Sequence, residues 1–173
     1  MQAEVDETDS TAAGRAQQQL LRGVHAHLRD ELAQIRDVVA QVVDGETDAG
    51  AARHLINHLT VRQNYWTLGS FCAAYCRLVT IHHTIEDQTM FPGLASREPS
   101  LAPVIARLSH EHETIAEVLT ALDEALVAMV TGDEGLSQVQ ARAEELATQL
   151  LAHLAYEEEQ LLPAIGRLTD RVI

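Results

Sequence analysis

Apolar residues recur along most of this chain at steps of three and four, the period of a helix with one buried face, and no stretch alternates in the two-residue manner of a strand. From Arg15 to Val43 the stripe is Leu21, His25, Leu28, Leu32, Ile35, Val39 and Val42, ended by Asp44-Gly45. A shorter helix is predicted from Asp48, as N-cap, to Leu59, with Thr60 to Trp66 irregular. The next long helix spans Thr67 to Phe91 on Leu68, Cys72, Tyr75, Leu78 and Ile85, with Pro92-Gly93 as its stop. Leu101 to Val130 follows on Ile105, Leu108, His112, Ile115, Leu119, Leu122, Leu126 and Met129. The last helix, Leu136 to Leu162, carries Val139, Ala143, Leu146, Leu150, His153, Glu157 and Leu161, and Pro163 interrupts it.

Four long helices and one short one predict an all-α, up-down-up-down four-helix bundle with the short helix between the first and third predicted helices. Residues 1–14 are acidic and polar and are expected to form a disordered tail, with the bundle domain over 15–173. At 173 residues the chain suffices for one domain with a real core.

One histidine interrupts the apolar stripe of each long helix: His25, His82, His112 and His153. His25 and His112 lie near the starts of two helices, His82 and His153 near the ends of the others, so alternating directions bring all four to one level. Glu86 stands four residues after His82 and Glu157 four after His153, each on the inner face. An ionised carboxylate belongs on a core face only where a cation receives it. Off the stripes, His27, His83 and His110 are turned away and read as surface or outlying residues, as do His54 and His58 on the short helix. The runs Glu111–Glu113 and Glu157–Glu159 read as solvated carboxylates, Glu157 excepted.

Four imidazoles and two carboxylates without inner thiolates suit iron, manganese or zinc, and six donors exceed what one tetrahedral zinc needs. Two bridged metals would use them all. Cys72 and Cys76, four apart on one predicted helix, are too far apart for a disulfide and read as packed thiols.

A net charge of −14 argues against nucleic acid or an anionic membrane surface as partner. No apolar run approaches the roughly 20 residues of a membrane span and the N-terminus is not a basic-then-apolar signal, so the expected location is the cytoplasm.

The pieces HAHLRDEL around His25, HHTIEDQTMFP from His82, EHETI around His112 and HLAYEEEQLLP from His153 together resemble the hemerythrin-like HHE cation-binding domains. The resemblance implies two Fe ions in a non-haem di-iron centre, ligated by His25, His82, Glu86, His112, His153 and Glu157. It implies small-molecule partners: hydrogen peroxide, dioxygen or nitric oxide. The oxygen-carrying members have HxxxH on the fourth helix, where this chain has Ala116 four after His112. That place is open to water, or to His83, His110, Tyr65, Tyr75 or Tyr156, and an exchangeable position favours peroxide or nitric oxide chemistry over oxygen carriage. The other classes are oxygen, redox or iron sensing, iron storage or delivery, and a metal-free bundle.

Overall fold

The computed structural model describes residues 10–47, 74–131 and 136–170, and every regular element among them is helical. Four long helices carry it. Helix α1 is Ala12–Thr47. Helix α2, described from residue 74, runs as α-helix over 74–85, opens into a wide π turn at Glu86–Met90, and closes again as α-helix over Phe91–Arg97. A short 3-10 turn, Pro99–Leu101, leads into α3, Ala102–Thr131, and α4 is Leu136–Gly166. No helix among the described residues is long and apolar enough to cross a membrane. The short helix expected between 48 and 59, with His54 and His58, lies outside the described residues, as do Tyr65 and Cys72.

Cross-helix contacts fix the directions. Against α1, α4 presents Glu144 to Arg36, Glu158 to Arg29 and Gly166 to Thr11, a descending series that makes the pair antiparallel. Tyr75 donates its hydroxyl to the Leu28 carbonyl at 3.0 Å and the His82 ring meets that of His25, so α2 also descends along α1. His83 against His112 with Asp87 against Ser109, and His112 against His153 with Arg107 over Tyr156, complete an up-down-up-down ring. Direct α1–α2 contacts thus settle that pair as antiparallel.

Four boundaries differ from expectation: α1 continues through Asp44-Gly45 to Thr47, and the other three differ each for a local reason. Ala12–Gly14, placed in a disordered tail by composition, form the first turn of α1: Thr11 Oγ1 accepts the Gly14 N–H at 2.8 Å, and the Thr11 N–H donates to the Gly166 carbonyl at 2.9 Å. Pro92 does not stop α2, because it falls in the first turn of the α segment after the π turn, where a missing N–H is tolerated. Pro163 lies inside α4: the carbonyl it leaves without a donor belongs to exposed Glu159, and Gln18 Nε2 holds the Leu162 carbonyl at 2.7 Å. Phase errs once, on α2. Ile85, assigned to the core face, is 49% exposed, and the buried face is Tyr75, Val79, His82, His83, Glu86 and Met90.

The core comes in two apolar clusters. One holds Leu28, Leu32, Tyr75, Val79, Ile115 and Leu150 among others; the second holds Leu21, Met90, Phe91, Leu108, Leu161 and Ile165. Between them, on every helix, lies a belt of histidine and glutamate.

Candidate metal centre

The belt is built by helical phase. His25 lies between Leu21 and Leu28 on α1, His112 between Leu108 and Ile115 on α3, and His153 and Glu157 between Leu150 and Leu161 on α4, so burying the apolar stripes carries these polar side chains inside. All six predicted site residues are buried and adjacent: His25 0%, His82 8%, Glu86 2%, His112 4%, His153 2% and Glu157 0% exposed.

A seventh joins them. His83, read from phase as a surface residue, is 6% exposed, and its ring stacks on His112 with centroids 3.9 Å apart and lies 5.2 Å from His153. Adjacent residues on a helix point about 100° apart, so a deeply inserted α2 buries both, sending His82 toward α1 and His83 toward α3 and α4. The open place inferred from Ala116 is not in the belt, since Ala116 is exposed on α3. Of the candidates named to fill it, His110 is 78% exposed at its side chain, Tyr75 is engaged with Leu28, and Tyr156 lies beneath the Arg107 guanidinium. Among the described candidates, His83 alone reaches the belt. His27, 59% exposed at its side chain, stays outside as expected.

Potential ligand atoms fall into two sets, each with its atoms within 4.8 Å of one another: His83, Glu86, His112 and His153 in one, His25, His82, Glu86 and Glu157 in the other. Glu86 is common to both, with Oε1 3.1 Å from His82 Nε2 and Oε2 3.4 Å from His112 Nε2. Glu157 Oε2 lies 3.4 Å from His25 Nε2 and 3.8 Å from His153 Nε2, so this carboxylate also faces both sets.

The electrostatics show a site built to receive positive charge. Nε2 of His25, His82 and His83 and all four oxygens of Glu86 and Glu157 are buried without a hydrogen-bond partner, although orphaned polar atoms are rare and costly in a native core. Burial, reinforced by the negative charge of Glu157, holds the Glu86 carboxyl well above its usual range. Burial also works against the Glu157 anion, but the His25 ring 3.4 Å away and the other surrounding imidazoles outweigh it and hold that carboxyl below its usual range. Burial depresses His82 to about 4 and pushes His83 lower still, so both rings stay neutral with lone pairs available. His153 is lowered chiefly by burial, partly offset by Glu111. Neutral imidazoles and buried carboxylates oriented inward without partners are the donor set a pair of divalent or trivalent cations would satisfy.

The π turn starts at Glu86 itself, and such turns often lie at functional sites. In the comparisons, residues 17–165 match the family model described as the hemerythrin HHE cation-binding domain. Neither the curated proteins nor the solved structures give a match.

Proposed function

Because this chain belongs to the hemerythrin HHE cation-binding family, we propose that its belt holds two iron ions and decomposes hydrogen peroxide, two molecules giving one dioxygen and two waters. The observation that carries the reading is the division of seven buried donors into two sets sharing Glu86. His83, His112 and His153 would hold one ion, His25 and His82 the other, with Glu86 and Glu157 between them. This nitrogen and oxygen set without thiolate suits iron, and seven donors exceed the need of a single tetrahedral ion. Two such ions, when bound, would supply a two-electron couple, enough to oxidise one peroxide and reduce a second without an external reductant.

The chain's own residues set what can react. The apolar clusters above and below the belt keep bulk water away, and every belt residue is at most 8% exposed, which restricts reactants to small molecules such as hydrogen peroxide, nitric oxide or dioxygen. Protons released in one half-reaction are taken up in the other. The net charge of −14 favours small molecules over nucleic acid or an anionic membrane surface as partners.

One observation favours a second reading. His83 supplies a fifth inner imidazole, which removes the argument that a histidine is missing and makes reversible dioxygen binding a specific competitor. Elemental analysis and an oxygen electrode separate the readings. The expected result is two iron atoms per chain and dioxygen release on peroxide addition. Iron-loaded protein that releases none, yet shows an optical band that appears with dioxygen and fades on its removal, would replace the first reading by the second.

A further inference from the structure

Three carboxylates stand just outside the belt, each next in sequence to one of its members: Asp87 beside Glu86, Glu111 beside His112 and Glu158 beside Glu157. A step of one residue turns a side chain about 100° out of the belt and toward the seam with a neighbouring helix. Each then bonds a histidine of that neighbour. Asp87 of α2 meets His112 Nδ1 of α3 at 3.0 Å, Glu111 of α3 meets His153 Nδ1 of α4 at 3.0 Å, and Glu158 of α4 meets His25 Nδ1 of α1 at 2.8 Å. The pairing passes from α2 to α3, from α3 to α4 and from α4 to α1, each of these three helices holding a histidine of the next.

Each carboxylate is held in turn. Ser109 Oγ donates to Asp87, Arg107 Nε to Glu111 and Arg29 Nη1 to Glu158, each at 2.8 Å. An imidazole that donates Nδ1–H to a carboxylate has its proton fixed on that side, its Nε2 lone pair directed the other way and its basicity raised. For these three rings the other way is into the belt.

We propose that Asp87, Glu111 and Glu158 are positioning residues of the centre, and that they divide between its halves: Asp87 and Glu111 serve the ion held through His83, His112 and His153, and Glu158 serves the ion held through His25 and His82. The inference rests on the two-metal reading. It goes further in separating these residues from ordinary surface carboxylates, whose loss would leave the histidines as they were.

The test is cobalt(II) titration of the metal-stripped full chain against a competing chelator. His25→Ala and His83→Ala serve as references that identify the two binding steps. Glu158→Ala is expected to weaken the step that His25→Ala disturbs, and Asp87→Ala and Glu111→Ala the step that His83→Ala disturbs, each by about 10- to 100-fold. Glu111→Gln and Glu158→Gln keep an acceptor oxygen and should recover part of the loss. In the metal-free chain, nitrogen-15 spectra should show His153 losing its fixed Nδ1–H tautomer in Glu111→Ala and His25 losing it in Glu158→Ala, changes that mere loosening of the bundle would not confine to one ring. Variants that keep both affinities, or that weaken the step not assigned to them, overturn the proposal. A wild-type chain that binds fewer than two cobalt ions overturns the two-metal reading first, and two intact wild-type steps distinguish the one failure from the other.

Discussion

Acid should unfold the metal-free protein by a route that His82 makes measurable. Burial, with the neighbouring His25 ring adding to it, keeps His82 neutral down to about pH 4, whereas an imidazole in the unfolded chain takes its proton near 6.5. Between those values the unfolded state binds more protons, so stability is fully present above about pH 6.5 and is lost as the pH falls. The linkage is about 3 kcal/mol for His82 alone, roughly half of it developed by about pH 5.2. His83, depressed further, adds in the same direction. Glu86 acts oppositely: its raised carboxyl makes the folded state the better proton binder above the usual carboxylate range, so its contribution falls as the pH rises. The net slope is therefore a difference, and a variant must isolate the imidazole. Urea unfolding of chelator-treated wild type and His82→Gln between pH 7 and pH 5.2, above the sequence pI of 4.9, should show the variant losing less stability on acidification, by between 1 and 2 kcal/mol as an order of magnitude. Parallel curves for the two proteins would refute the argument.

His83→Ala should leave about one metal ion per chain by elemental analysis while His27→Ala leaves the content unchanged; equal loss in both would remove His83 from the centre. Gly14→Ala should destabilise by about 1–3 kcal/mol, because a Cβ there would fall on the Gly166 carbonyl where α1 crosses the end of α4. Gly23→Ala, in exposed mid-helix with nothing within 4 Å of the new carbon, should instead stabilise by about 0.5–1 kcal/mol, and thermal melts of the pair that shift in the same direction would contradict the packing. Burial pushes the Cys76 thiol up to about 11, so alkylation of that residue in a Cys72→Ser background should be slow at pH 8 and quicken only as the pH approaches 11; fast labelling at pH 8 would show the side chain open to solvent.

Much of this site was legible because helical phase carries the polar residues in with the apolar ones. His25, His112, His153 and Glu157 sit on stripes whose leucines and isoleucines fix the inner face, and the structure buries all four. On α2 the pattern misled, since Leu78 and Ile85 suggest a face one residue away from the buried one, and a single inward stripe leaves no room for His83. What signalled otherwise was the doublet His82-His83 itself: two adjacent histidines can both face inward only where a helix is inserted between two neighbours. Pro92 and Pro163 read as stops because sequence shows the missing N–H but not the wide turn or the Gln18 side chain that makes the loss tolerable. Glu111 and Glu158 read as solvated because their partners lie on other helices, more than 40 and 130 residues away in the chain, and no local period reports such a contact.

A turn closed from the Phe91 N–H to the Glu86 carbonyl contains one residue more than the α-helical turn it replaces, so Glu86–Met90 has the arithmetic of an insertion. Along an unbroken helix Phe91 and Leu94 would stand about 140° and 80° around from Glu86; the added residue brings both back beneath it, into the apolar cluster. Deleting one solvent-facing residue, Gln88 or Thr89, would let the helix close normally while His82, His83 and Glu86 on one side and Phe91 and Leu94 on the other keep the faces they now present. Chain length at this point can therefore change by one residue, the turn tightening to match, without disturbing either the ligands or the apolar seal beneath them. In aligned relatives a one-residue gap here should leave apolar residues at the positions of Phe91 and Leu94, and gaps accompanied by polar residues at both would break the link.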